Sequence, residues 1–169
     1  FYTGAIGEAI AATIQEFGGW LDAEDLAFYR GEWVEPIATT YRGVTVKTMP
    51  PNTQGLTTLL ALRMAEREDL GNTWGGLANL HPLVEAARRG YGVRDEVISD
   101  PRFVEIDVDG WLADTTIDEL WADYDPALAT ASAPHDPGDT VYLCAIDADG
   151  NAVSQIQSLF GAFGSAVVA

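Results

Sequence analysis

The sequence predicts an α+β fold in which helices pack on antiparallel sheet. Apolar residues recur at helical spacing over residues 4–17, 53–68, 79–98 and 115–125. Two other stretches, 33–49 and 140–160, are rich in β-branched and aromatic residues, and each is divided by a glycine turn. The chain order is therefore helices, a strand pair, helices, a Pro/Gly-rich linker and a hairpin, which is an α+β arrangement.

Each element has its own signal. Residues 4–17 place Ala5, Ile6, Ala9, Ile10, Thr13, Ile14 and Phe17 on helical spacing, and Gly18-Gly19 end that helix. Asp22 is a good N-cap for a short helix through Arg30. Within 33–49, Gly43 breaks the stretch and Val44-Thr45-Val46-Lys47-Thr48 alternates as a half-buried strand does. Pro50-Pro51 stop that strand. The run Pro50-Pro51-Asn52-Thr53-Gln54-Gly55 lacks the Lys-Ser/Thr ending of a phosphate loop and reads as a strand-to-helix turn. The helix over 53–68 directs Leu56, Leu59, Leu60 and Met64 inward. The helix over 79–98 places Leu80, Leu83, Val84, Ala87 and Tyr91 on its apolar face, with Asn79 as cap and Pro82 in the first turn. Thr115 or Thr116 caps the helix over 115–125. Residues 129–138, small and Pro/Gly-rich, form a linker. Two strand-like runs follow, Thr140 to Asp147 and Ala152 to Phe160, joined by Ala148-Asp149-Gly150-Asn151. An Asp-Gly turn between such runs is a strong hairpin signal.

Composition narrows the function. The 169 residues suit one domain with a real core. Twenty-six acidic residues against nine basic ones give a net charge of −17. That field repels phosphate backbones and anionic surfaces, which argues against nucleic-acid and membrane partners. A soluble acidic surface and adaptation to salt both fit it. The one cysteine, Cys144, allows no internal disulfide and leaves the compartment open. In a strand it is expected to be a buried, inert thiol. No apolar run approaches the roughly 18 residues of a membrane span. His81 and His135 lie far apart with no metal-ligand spacing around them, so no metal is expected. His81 reads as structural and His135 as a solvated linker residue. The five tryptophans are scattered and expected mostly in the core.

Thr140 opens its strand behind the linker. Taken alone, the position describes an ordinary strand threonine with a solvated hydroxyl. It also suits a residue that becomes a new N-terminus. A terminal threonine combines a nucleophilic hydroxyl with its own α-amine as base.

The surrounding residues carry a resemblance. Asp139-Thr140-Val141, Ile146-Asp147-Ala148-Asp149-Gly150-Asn151-Ala152-Val153-Ser154 and Phe163-Gly164-Ser165 resemble the γ-glutamyltranspeptidase family. Upstream, Phe17-Gly18-Gly19 with Asp25-Leu26 and Tyr29-Arg30 is similar to the family's GG…DL..Y segment. Glu35-Pro36, Tyr41-Arg42-Gly43 and Met49-Pro50-Pro51-Asn52-Thr53-Gln54-Gly55 follow its EP…YRG…PPxSxG order, with Thr53 where serine is usual. His81, Glu85-Ala86, Arg94 and Asp100-Pro101 complete the pattern, which covers nearly the whole chain.

The resemblance implies a four-layer αββα sandwich of the N-terminal-nucleophile hydrolases, of which this chain supplies part. It implies that residues 1–128 end a large segment, that 129–139 lead to the cleavage site, and that 140–169 begin a small catalytic segment. It implies that Thr140 attacks the carbonyl of Asp139, frees itself as a new N-terminus, and then attacks a substrate amide. The substrate is a small-molecule amide, γ-glutamyl or related. No cofactor is implied. The two segments are expected to stay together as a heterodimer, with higher assembly open. Ser158, eighteen positions after Thr140, stands where the family has a hydroxyl residue that orients the nucleophile. Glu85 and Arg94 are expected in a structural polar network. Phe160 replaces an asparagine that contacts the γ-glutamyl head group, and Ile156 replaces the first threonine of a Thr-x-Thr pattern. Both departures point toward the acylase-like branch. A homologue that no longer matures, with a structural or binding role, is the alternative.

Overall fold

Leucine and methionine at helical spacing organise most of this chain around one helix. The computed structural model describes residues 1–71, 75–130 and 140–158. In order, these form α1 (Ala5–Glu16), α2 (Ala23–Phe28), β1 (Ile37–Tyr41), β2 (Val44–Thr48), α3 (Gly55–Ala65), α4 (Leu77–Val97), α5 (Val108–Leu112), α6 (Asp114–Trp121), β3 (Thr140–Ile146) and β4 (Ala152–Ser158). The strands make two antiparallel pairs, β1 with β2 and β3 with β4. The described residues are thus α+β, and they fall into two compact units.

One unit runs from Trp33 to Thr130 among the described residues. Its strands pair from Ile37 opposite Thr48 to Tyr41 opposite Val44. The two residues between them, Arg42 at φ 49° and Gly43 at φ 79°, give the tight turn whose twist matches the strands. The Glu66 carboxylate accepts the Arg42 N–H at 2.5 Å, tying this turn to the end of α3. Leu56, Leu59, Leu60 and Met64 of α3 are fully buried, as their spacing predicts. Leu56, Leu60 and Met64 meet Ala86 and Val93 of α4 and Ile117 and Trp121 of α6 in one apolar cluster, with Ile37 of β1 against it. Arg63 of α3 and Arg67, just beyond its end, reach Asp114 at 2.7 Å, and Arg67 also reaches Asp118 of α6.

The second long helix differs from the sequence expectation. α4 buries Asn79, Pro82, Glu85, Ala86, Gly90 and Val93. Of the stripe expected inside, Leu80, Val84 and Tyr91 are 41–53% exposed, while Leu83 packs against the core. The reason is close approach. A Cβ at Gly90 would sit 3.0 Å from the Thr57 carbonyl oxygen of α3, so the contact face is built from small residues rather than large ones. The helix also begins earlier, with Gly76 and not Asn79 at its cap.

Two further corrections concern local signals. α5 escaped the periodicity because it has five residues, held by the Asp107 carboxylate on the Gly110 N–H at 2.9 Å. α6 starts at Asp114 without a side-chain cap, and Thr116 donates instead to the Gly110 carbonyl at 2.7 Å, joining α5 to α6.

The other unit holds Phe1–Glu32 and the β3–β4 hairpin. Gly18, at φ 77°, ends α1. Asp22 opens α2 with a reciprocal capping box, accepting from Glu24 and Asp25 while the Asp25 carboxylate accepts the Asp22 N–H. Every residue of β3 and β4 is exposed. Cys144 is therefore exposed, not buried as expected, because nothing among the described residues packs on its strand. The tryptophans also depart from expectation. Trp121 is buried and Trp111 is packed against the core, but Trp20 and Trp33 lie in connecting stretches and are fully exposed. No described helix is long and apolar enough to cross a membrane.

The α3–α4 contact gives a direct test. Gly90→Leu should force the two helices apart and cost about 1–3 kcal/mol of stability in the whole protein. The readout is the urea midpoint, and an unchanged midpoint would contradict the close approach at Thr57.

Candidate functional site

The turn of the second hairpin sets the geometry of its far end. Asp147 Oδ1 accepts the N–H groups of Asp149 at 3.0 Å and Asn151 at 2.9 Å. Its Oδ2 accepts the Asn151 side-chain amide at 2.8 Å. The Asn151 amide, with the backbone N–H groups of the turn, holds the Asp147 carboxyl below its usual range. Gly150 takes φ 83°, a conformation other residues rarely adopt. From this turn the strands pair in a fixed register, Ile146 opposite Ala152 through to Thr140 opposite Ser158.

That register brings Thr140 and Ser158 side by side. The Thr140 hydroxyl donates to Ser158 Oγ at 2.8 Å. Side chains alternate between the two faces of a strand, so Tyr142 and Ile156, a cross-strand pair, share the face of Thr140 and Ser158. Tyr142 and Ser154 hydroxyls lie 3.2 Å apart on that same face. Asp139 and Phe160, singled out from the sequence, lie outside the described residues, as does His135.

In the other unit a second polar constellation surrounds Glu85, whose side chain is almost completely buried. Arg89 donates to Glu85 Oε2 at 2.7 Å and also reaches Asp123 at 2.9 Å. Arg88 lies 3.5 Å from Oε1. The Thr130 N–H donates to Oε1 at 3.0 Å, and the Thr130 hydroxyl donates to Oε2. The Arg89 guanidinium stacks over Trp121, 5.2 Å from the ring centre. His81 lies 3.2 Å from the Tyr124 hydroxyl and 4.0 Å from Glu85 Oε1. Burial alone would raise the Glu85 pKa, but the bonds from Thr130 and Arg89 outweigh it and lower it to about 2. Arg94 stands apart, bonded to Asp95 at 2.8 Å and to Gln54 at 3.4 Å.

Comparison with known proteins settles the family. The γ-glutamyltranspeptidase family model matches residues 1–169. The chain belongs to the γ-glutamyltranspeptidase family. Family relatives include a glutathione hydrolase-like YwrD proenzyme of Bacillus subtilis, 38% identical over all of this chain and 32% of that protein. An oxamate amidohydrolase proenzyme of Klebsiella pneumoniae is 32% identical over 99% of the chain and 32% of its own length. Among solved structures, a cephalosporin acylase from Bacillus halodurans superposes with a TM-score of 0.77 at 37% identity, covering 99% of this chain and 31% of that one. The chain thus spans about a third of the length of the curated relatives it matches.

Arg88, Arg89, Asp123 and Thr130 of the Glu85 constellation carried no site assignment from the sequence. Arg89 was legible in principle, because a carboxylate and a guanidinium four apart on a helix face each other. Thr130 was not, because it meets Glu85 across 45 residues and nothing local marks the contact.

The depressed Glu85 pKa has a definite sign. Its charged form is favoured by the fold, so the stability it contributes is complete above the unfolded value near 4.5 and is lost as pH falls toward about 2. The contribution is on the order of 3 kcal/mol. In urea unfolding of the whole protein, the stability gap between wild type and Glu85→Gln should narrow as pH falls from about 5 to about 2. A gap that stays constant would contradict this role for the carboxylate.

Proposed function

We propose that the whole protein is an autoprocessing amidohydrolase or acyltransferase that cleaves γ-glutamyl or related amide bonds through a threonyl acyl-enzyme. The observation that carries this reading is the 2.8 Å hydrogen bond from Thr140, the first residue of β3, to Ser158. In this reading residues 1–128 close the large segment, 129–139 lead to the cleavage site and 140–169 open the small catalytic segment. The hairpin belongs to a four-layer αββα sandwich completed by the rest of the protein. A two-stranded hairpin exposed on both faces is marginal alone, which supports such a cover. Relatives described as proenzymes support processing into two segments that stay together as a heterodimer.

The chemistry has two stages. In maturation, Thr140 Oγ1 attacks the carbonyl carbon of Asp139. The bond between that carbon and the Thr140 nitrogen breaks, and the hydroxyl proton ends on the nitrogen as the free α-amine. Water then hydrolyses the resulting ester to the Asp139 carboxylate and the Thr140 hydroxyl. In turnover the α-amine takes the hydroxyl proton, Oγ1 attacks the substrate amide, and the amine product leaves with a proton. Water at the acyl-enzyme gives hydrolysis, and an amine acceptor gives transfer. Ser158 accepts the hydrogen bond of the nucleophile and orients it. Neither stage calls on a metal or an organic cofactor.

A second reading of the substrate has an observation behind it. Ile156 and Tyr142 share the face of Thr140. An apolar residue there offers nothing to a charged amino-acid head group, whose donors would be left unpaired. Phe160, which takes the place of a polar contact in the family pattern, argues in the same direction. Uncharged acyl amides are then the better substrates.

Thr140→Ala should leave the precursor uncut on a denaturing gel, since no hydroxyl remains to attack. Equal cutting of wild type and variant would refute the mechanism, and an uncut wild type would favour a homologue that does not mature. Ser158→Ala should slow maturation or turnover by about ten- to a hundred-fold without unfolding the protein. A rate equal to wild type would remove Ser158 from the site. For specificity, a γ-glutamyl anilide should turn over more slowly than an uncharged acyl anilide of equal length, and Phe160→Asn should shift the ratio toward the γ-glutamyl compound. Clear preference for the γ-glutamyl anilide by wild type would overturn the acylase-like reading.

A further inference from the structure

We propose that Tyr142 is a specificity-determining residue for the acyl group of the substrate, and that Ser154 is the positioning residue that holds its ring. The inference rests on the reading of Thr140 as the nucleophile that carries the acyl group. It starts from two hydroxyl pairs on one face of the hairpin, Thr140 with Ser158 at 2.8 Å and Tyr142 with Ser154 at 3.2 Å. The register sets Tyr142 opposite Ile156 and Ser154 opposite Cys144. The Tyr142 hydroxyl therefore meets not its direct partner but the diagonal one, two residues nearer the turn. Diagonal neighbours lie within reach of an aromatic side chain, and strand side chains lean along the strand. Here the lean is toward the turn and away from Thr140.

That lean shapes the surface beside the nucleophile. Residues two apart on a strand sit roughly 6–7 Å apart along it, on the same face. Tyr142 is thus the next side chain of β3 after Thr140 on this face, and Ile156 is its counterpart on β4 beside Ser158. A ring leaning the other way would cover Thr140 and Ser158. Tied to Ser154, it leaves the two hydroxyls open and presents its flank beside Ile156. An acyl group on Thr140 Oγ1 that extends toward the turn then meets an aromatic flank and a branched aliphatic side chain. Both offer apolar contact and no hydrogen bond to the carbons next to the acyl carbonyl. Among the described residues both side chains are exposed, so their apolar surface is available to such a chain. The surface fits an uncharged acyl chain of several carbons, long enough to reach the ring, better than a short one.

The test uses the whole protein and compares a hexanoyl anilide with an acetyl anilide, with kcat/KM taken per cleaved site. Wild type should prefer the hexanoyl compound. Tyr142→Ala should lower the hexanoyl-to-acetyl ratio about ten-fold or more, the discrimination that methylenes in apolar contact supply. Tyr142→Phe keeps the ring but frees it, and Ser154→Ala removes the same bond from the other side. Each should lower the ratio about two- to ten-fold, and the double variant should fall no further than either. Ser154→Thr restores the hydroxyl and should restore the ratio. These milder variants decide the matter where Tyr142→Ala does not fold. A wild-type preference for the acetyl compound would overturn the inference. So would a wild-type ratio in Tyr142→Ala, or in both Tyr142→Phe and Ser154→Ala. Equal loss on both anilides would overturn it as well, since that marks a general structural defect. Thr140→Ala separates the two levels. If wild type turns over the anilides and Thr140→Ala does not, the acyl-enzyme reading stands and the ratio judges Tyr142 alone. If Thr140→Ala turns them over like wild type, both fall.

Discussion

Register in the β3–β4 hairpin is set at its turn, and the position of the candidate nucleophile follows from that register. Asp147 accepts three hydrogen bonds from the four residues that follow it, and Gly150 supplies the positive φ the turn requires. Strand side chains alternate with a period of two, so a slip of one residue would send Thr140 to the opposite face from Ser158. Seven paired positions run from the turn to the site, the last of them Thr140 with Ser158, and each transmits the register set at Asp147. An exposed carboxylate at one end of a hairpin thus determines which hydroxyl faces which at the other.

The second organising group is a buried charge. Glu85 is buried on the face of α4 that also buries Asn79, Pro82, Ala86, Gly90 and Val93. Close helix packing at Gly90 leaves no room for a large side chain there, and the Glu85 carboxylate binds Arg89 and the irregular chain at Thr130. The same helix therefore joins a packed core to the irregular chain at Thr130. Ion pairs at the surface of α3 and α6, with exposed Asp114 and Asp118, contribute far less to this arrangement.

What the sequence made legible, and what it did not, divides along the range of the interactions. The α3 core positions and the hairpin could be read because their signals are local: leucines three and four apart, and Asp-Gly between alternating runs. The pairing of Thr140 with Ser158 followed from the family pattern, and the hairpin register now accounts for it geometrically. The inward face of α4 could not be read. Periodicity finds large apolar residues, and here Leu80, Val84 and Tyr91 face out while Gly90, Ala86 and Glu85 face in. The exposure of Trp20, Trp33 and Cys144 was hidden for a different reason. Residue type predicts burial only where a partner surface exists, and this chain is about a third as long as its relatives. The Glu85–Thr130 contact was invisible because neither partner signals the other across 45 residues.

The central claim is that Thr140 is the nucleophile, exposed by cleavage at its own amino side. The most direct measurement is peptide mass mapping of the whole protein after exposure to a slowly hydrolysed acyl donor. The account predicts a peptide that begins at Thr140 and carries the acyl group on that residue. Acyl label on any other residue, or Thr140 recovered inside an uncut peptide from active protein, would contradict it.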